Sequence, residues 1–265
     1  MLRTTFETLK VDIRTDRIGI ITMNRPEVMN CMNTAMMTDL RDCFSQFYIY
    51  DNAAACLLLT GAGDRAFCSG ADLKERRGMT DETWRQQHAV IEQAIRAIME
   101  CPIPIIAAVN GAAYAGGMEL ALGCDFVYAA DHAKFALTEV TLGIMPGAAG
   151  TQNLPRAVGQ RRAKEIILTG TPFGAVDALA WGLANKVVPG AELMEETLAV
   201  AGKIAANAPM SVRQAKKSID KATELDRATG YAYELEAYNR LIATADRQEG
   251  ITAFNEKRKP NYKGR

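Results

Sequence analysis

The sequence predicts an α/β protein with a helical C-terminal part, and three observations predict it. Strand-like apolar runs alternate with helical stripes over the first two thirds of the chain. Strand signals stop at about residue 190. Beyond that point apolar residues recur only at helical spacing.

The elements follow in order. Leu9, Val11 and Ile13 alternate with Lys10 and Asp12, the pattern of a half-buried strand. A second strand runs over residues 18–23, after the polar turn at 14–17. Asn33 is placed to cap a helix whose apolar stripe is Met36, Leu40, Phe44 and Phe47. Residues 56–60 read as a buried strand, and a glycine-rich loop then leads to Asp72. Thr80 caps the next helix, which sets Trp84, His88, Ile91, Ile95 and Ile98 on one face. Residues 103–109 form another buried strand, Gly116 and Gly117 open a short helix, and residues 126–129 form a short strand. Behind Pro209, Val212, Ala215, Ile219 and Ala222 recur at helical spacing, as do Tyr231, Leu235, Tyr238 and Ile242. We place the α/β core at residues 1–200 and the helical part at 201–265. With no low-complexity linker between them, the two are expected to pack closely.

Composition narrows the function. Lys and Arg number 31 and Asp and Glu 31, so the formal charge is zero. That removes the general attraction on which nucleic-acid binding rests. No apolar run reaches the ~20 residues of a bilayer span, and no membrane association is expected. The first ten residues lack the apolar stretch of a secretory signal. Six cysteines without a CxxC pair suit a reducing cytoplasm. His88 and His132, the two histidines, flank no metal-ligand motif, so no metal is expected.

Three glycine-rich stretches could carry chemistry. Gly61-Ala62-Gly63-Asp64-Arg65-Ala66 matches a dinucleotide fingerprint, but no helical stripe follows it. It reads instead as a turn that brings backbone close to something. In Asn110-Gly111-Ala112-Ala113-Tyr114-Ala115-Gly116-Gly117-Met118-Glu119-Leu120 a strand ends and a helix begins at paired glycines. Free N–H groups at such a start can form an oxyanion hole. Glu119 in the first turn is either a charge on the helix dipole or a reacting carboxylate. In the third stretch Glu139 lies among apolar neighbours, before the turn Pro146-Gly147-Ala148-Ala149-Gly150. It is either exposed at a strand end or held in a dry site with a raised pKa. Two carboxylates at one dry site would suit proton transfer in both directions. His88 falls on an apolar stripe and reads as a packed histidine; His132, in a polar turn, reads as a surface one. Cys68 has no neighbour that would activate it.

These stretches together resemble the crotonase, or enoyl-CoA hydratase/isomerase, family. The likeness runs from Asn24-Arg25-Pro26 through Phe67-Cys68-Ser69-Gly70-Ala71-Asp72-Leu73, Gly116-Gly117-Met118-Glu119-Leu120, Thr138-Glu139 and residues 147–152 to Phe254-Asn255-Glu256-Lys257-Arg258. It implies a crotonase-like spiral of ββα turns followed by a helical trimerisation domain, with trimers often paired into hexamers. It further implies an oxyanion hole from the N–H groups of Ala71 and Gly116. Ser69, Asp72, Leu73 and Lys74 would line the CoA groove. Glu119 would activate water for attack at Cβ, and Glu139 would exchange the proton at Cα. Phe254 and Lys257 would reach a neighbouring subunit's CoA site. No cofactor is implied beyond the coenzyme A of an acyl-CoA substrate.

The expected reaction is hydration of an enoyl-CoA, since the hydratase pattern has both glutamates. Carnitinyl-CoA-type dehydration, enoyl-CoA isomerisation and CoA-thioester binding without turnover are the alternatives. Residues 71–79, with Lys74, Glu75 and Arg76, look locally like the methylglutaconyl-CoA hydratases of this family. Two departures are present. Ala148 and Ala149 stand where many relatives have glycine, and Glu27 to Asn33 is bulkier than the usual alanine-rich form.

Overall fold

The computed structural model describes residues 2–265. Two sheets and eleven α-helices build it. Strands β1 (Leu9–Ile13) and β2 (Ile18–Met23) form an antiparallel hairpin. Helix α1 (Thr34–Ile49) follows, and Asn33 caps it by accepting from the Met36 N–H.

The chain then repeats one unit three times: a strand in the large sheet, a short strand in the small sheet, then helix. The first unit is β3 (Cys56–Gly61), β4 (Ala66–Cys68), α2 (Leu73–Arg76) and α3 (Asp81–Met99). The second is β5 (Ile105–Val109), β6 (Ala112–Tyr114) and α4 (Gly116–Gly123). The third is β7 (Phe126–Ala130), β8 (Lys134–Ala136) and, after a 3-10 turn at Glu139–Leu142, α5 (Gly150–Val158) and α6 (Gln160–Thr169). Strand β9 (Phe173–Gly174), helix α7 (Ala175–Ala180) and strand β10 (Lys186–Val188) complete the sheets. The large sheet runs β1-β2-β3-β5-β7-β10, and the small one β4-β6-β8-β9. Pairing within the repeats is parallel. This is the expected spiral of ββα turns.

Strand β3 shows why the runs are continuously apolar. Leu57 and Leu59 join the main core, with Phe44 and Phe47 of α1 and Ile95 and Ile98 of α3. Cys56 and Leu58 point to the other face, where Ala201 and Leu198 of α8 (Leu193–Ala205) cover them. A parallel strand covered on both faces needs no polar alternation.

Helices α9 (Pro209–Lys221), α10 (Arg227–Ile242) and α11 (Ala245–Asn255) end the chain, as the absence of strand signals predicted. Residue 200 falls inside α8, which packs along the large sheet from Met194 to Ala205. Lys216 of α9 reaches Asp125 at 2.7 Å, and Arg213 reaches Asp51 at 3.0 Å. These pairs fasten α9 to the core.

The reading of the first glycine-rich loop holds: a strand, β4, follows it rather than a helix. Among the described residues no helix is long and apolar enough to cross a membrane. No cluster of three metal-binding side chains occurs among them either. All six cysteines are free thiols.

Candidate active site

The repeat brings the site together. Strands β4, β6 and β8 lie side by side, so the segments leaving their C-terminal ends are neighbours. Ala71 follows β4, Gly116 follows β6 and Glu139 follows β8. Three residues far apart in sequence thus leave one sheet edge together.

Contact between the first two segments is close. A Cβ on Gly70 would lie 2.9 Å from the Ala115 Cβ and 3.4 Å from the Gly116 nitrogen. Gly70 has φ +94°, which an L side chain rarely adopts. A Cβ on Gly117 would lie 1.9 Å from the Cys68 carbonyl oxygen, so glycine is obligatory there. Ala115 holds φ 49° and ψ −126°, strained for a residue with a side chain, and it turns the chain into α4. The N–H groups of Ala71 and Gly116 find no acceptor among the described residues. Two open donors on abutting segments match what a developing oxyanion needs.

The residues around Ala71 are clamped. Met32 donates its N–H to the Gly70 carbonyl at 2.8 Å and accepts from the Asp72 N–H at 2.9 Å. Ser69 donates its N–H to the Met29 carbonyl at 3.1 Å. Asp72 caps α2 by accepting from the N–H groups of Lys74 and Glu75. Both terminal nitrogens of Arg25 reach its Oδ2 at 3.1 Å. Burial pushes the Asp72 carboxyl up, but Arg25 and the two N–H groups outweigh it and hold the pKa below the usual value. Leu73 and Lys74 stand exposed beside this clamp.

Glu119 is buried on α4, at 3% exposure. Its Oε1 accepts from the N–H groups of Ala148 and Gly150, each at 2.8 Å. The carboxylate therefore bonds a distant loop and does not simply sit on its own helix dipole. Burial raises its pKa, and the two N–H groups offset part of that rise. Both bonds fall on one oxygen, and Oε2 accepts no hydrogen bond from the described residues. Ala149, between the two donors, has φ +70°. The alanine thus adopts the left-handed turn that glycine would take without strain.

Glu139 resolves to the dry alternative. It is 6% exposed, in the 3-10 turn, and neither carboxyl oxygen has a hydrogen-bond partner. Burial lifts its pKa to about 7, and the nearby Glu119 charge adds to the rise. The two carboxyls differ as acid and base should: one is fixed by donors, and the other is unpaired and titrates near neutrality.

Phe254 and Lys257 form no hydrogen bond or ion pair with these residues. Phe254 is 84% exposed on α11, and Lys257 follows that helix with φ 54°. The ring of His88 packs against Gly147, where an added Cβ would meet Cε1 at 2.8 Å. His132 is half exposed; its Nε2 lies 3.2 Å from the Asn110 carbonyl.

Sequence reasoning missed three contributors. The N–H donors of Ala148 and Gly150 carry no side-chain signal. Asn30 is fully buried with φ 52°. Its amide donates to the carbonyls of Ala62 and Ala66 and accepts from the Arg25 N–H. It ties the first loop to the Arg25 turn. Arg25 was visible as part of a motif and Asn30 only within a stretch that departs from it, and their bonds to Asp72 and Ala62 reach more than 30 residues away.

Comparison with known proteins agrees with this geometry. The model of the family described as enoyl-CoA hydratase/isomerase matches residues 14–265. The mitochondrial enoyl-CoA hydratase of Pongo abelii is 39% identical, over 94% of this chain and 85% of that one. The crotonyl-CoA hydratase of Syntrophomonas wolfei is 38% identical, over 93% and 95%. The crystal structure of an enoyl-CoA hydratase from Bacillus anthracis superposes with a TM-score of 0.95 at 44% identity, covering 98% of this chain and all of the other. With the repeat, the open N–H pair and both glutamates accounted for, the chain belongs to the enoyl-CoA hydratase/isomerase family.

Proposed function

We propose that this protein adds water across the 2,3 double bond of an enoyl-CoA thioester. The observation that carries the reading is the pair of unlike buried carboxyls, Glu119 held by two N–H groups and Glu139 unpaired with a pKa of about 7. Relatives named enoyl-CoA hydratase and crotonyl-CoA hydratase support it.

The thioester oxygen accepts from the Ala71 and Gly116 N–H groups, which polarises the conjugated double bond. Glu119 takes a proton from water as the oxygen attacks Cβ. The electron pair moves to the thioester oxygen as an enolate, and Glu139 delivers a proton to Cα as it collapses. One water is consumed, and the two carboxyls exchange protons with solvent to reset. Removing one oxyanion donor in such a site costs about 3–4 kcal/mol of barrier. No cofactor enters beyond the coenzyme A of the substrate.

Ser69, Asp72, Leu73 and Lys74 line the CoA groove, with the Arg25–Asp72 clamp holding its wall. The core to about residue 200 carries this chemistry, and residues 201–265 assemble trimers or paired trimers. The exposed Tyr231, Leu235, Tyr238 and Ile242 of α10 support that role. In the assembly Phe254 and Lys257 reach a neighbour's CoA, where the lysine meets a phosphate as a point charge. Six unpaired cysteines, five of them buried, favour a reducing compartment such as the cytoplasm.

The test is absorbance of crotonyl-CoA at the enoyl band. Hydration removes the conjugation and the band falls. An unchanged band, with CoA-thioester binding shown by calorimetry, would refute the hydratase reading in favour of a binder.

A further inference from the structure

The two open N–H donors stand on separate segments, and the strands before them are short. Strands β4 and β6 have three residues each and pair through Ala66–Ala112 and Cys68–Ala113, with an irregular register between the two. Ala71 and Gly116 both lie beyond the last paired residues. Donors aimed at one oxygen must keep their spacing, because a misplacement of about 1 Å can cost about a hundredfold in rate. So brief a ladder holds that spacing weakly, and a further contact is needed.

Met32 touches both segments. It stands directly before Asn33, the cap of α1, and two left-handed residues lead to it, Met29 at φ 56° and Asn30 at φ 52°. Its backbone forms an isolated parallel bridge with Ala71. The Met32 N–H donates to the Gly70 carbonyl at 2.8 Å, and the Met32 carbonyl accepts from the Asp72 N–H at 2.9 Å. The Gly70 carbonyl and the Ala71 N–H belong to one trans peptide, so they point in opposite directions. Holding the carbonyl on Met32 therefore aims the Ala71 N–H away from Met32. It also polarises that peptide and strengthens its N–H as a donor.

The side chain reaches the other donor. A Cβ built on Gly116 would lie 2.8 Å from the Met32 Cε, and the next atom it would meet is the Gly70 Cα at 3.9 Å. The methyl group thus fills the space beside Gly116. Met32 is 2% exposed and belongs to the main core, with Cys68 and Met118. Contact in a close-packed core resists both approach and withdrawal. We propose that Met32 is a positioning residue for catalysis, setting the spacing and aim of the Ala71 and Gly116 N–H groups at the thioester oxygen. This rests on the oxyanion reading of those two groups. Were Met32 only core filling, its truncation would lower stability and leave a bound thioester carbonyl unchanged.

Met32→Ala keeps both backbone bonds and deletes the contact with Gly116. Butyryl-CoA labelled at the carbonyl carbon binds without reacting, because it has no double bond to hydrate. Its infrared difference spectrum reports how strongly the carbonyl is hydrogen-bonded. In the unaltered protein the carbonyl stretch should fall in frequency on binding. In Met32→Ala most of that shift should be lost, and kcat for crotonyl-CoA should fall by about ten- to a hundredfold while KM changes far less. Met32→Leu, of nearly the same volume, should recover most of both. An intact shift in Met32→Ala overturns the proposal, as does an effect confined to KM or a leucine variant no better than the alanine one. If circular dichroism shows Met32→Ala unfolded, Met32→Val supplies the same comparison. No shift in the unaltered protein refutes the oxyanion reading itself; a shift there that survives the truncation refutes only the role of Met32.

Discussion

Glu119 and Glu139 are the same residue type in the same burial class, and their surroundings make them different reagents. Two N–H donors fix one oxygen of Glu119. Glu139 has no donor and titrates at about 7. Glu119→Gln and Glu139→Gln should each lower kcat by about two to four orders of magnitude, the worth of positioned acid–base catalysis. The amide oxygen at 119 can still accept both N–H bonds, so circular dichroism should not change. Near-wild-type turnover in either variant would remove that carboxyl from the mechanism. The pH dependence has a definite sign. In the proposed mechanism Glu139 delivers its proton when neutral, so kcat/KM for hydration should fall as pH rises through about 7. Stability follows the same group. Its folded pKa lies above the ordinary 4.5, so between there and about 7 the folded state binds the extra proton. Its contribution to stability is therefore present below that window and lost as pH rises across it. Glu139→Gln should raise Tm more at pH 8 than at pH 5, and equal increments at both pH values would contradict the assignment.

At the scale of elements, the site depends on how closely two strand ends approach. Gly117 lets α4 start against the Cys68 carbonyl. Backbone on both sides leaves nothing flexible to yield, so Gly117→Ala should destabilise by about 3 kcal/mol. A urea melt measures this, and an unchanged midpoint would mean that the segments are free to separate. The long elements here were legible from periodicity. The helix stripe through Phe44 and Phe47, the Asn33 and Thr80 caps and the buried β3 all stand as read. The small sheet was not. Strands β4, β6 and β8 have three residues each, too few to show a period, and β4 and β6 sit inside stretches that read as loops. Their pairing is non-local and leaves no mark on any one segment.

At the scale of the molecule, the exposed side of α10 supports the proposed assembly. Tyr231 and Tyr238 are each more than 60% exposed on one stripe, with Leu235 and Ile242 beside them. Contiguous apolar surface of this kind marks an interface, and closed symmetry is the usual outcome. Light scattering on the intact chain should give a mass three or six times that of one chain. Leu235→Asp with Tyr238→Asp should reduce it toward one, because each charge would be buried unpaired in the contact. A monodisperse monomer for the unaltered chain would overturn the assembly and with it the cross-subunit role of Lys257.

The sequence by itself determined the class of element at each long segment, the change to an all-helical C-terminal part, and the residue types that could do chemistry. Those follow from local periodicity, caps and glycines, which act within a few residues. It left open whether Glu119 served only its helix dipole and whether Glu139 was exposed. Only the tertiary structure decided these, because desolvation and hydrogen bonding come from chain that is distant in sequence. Glu119 takes its donors from 29 and 31 residues away. The segments that carry the Ala71 and Gly116 N–H groups are neighbours because β4 pairs with β6.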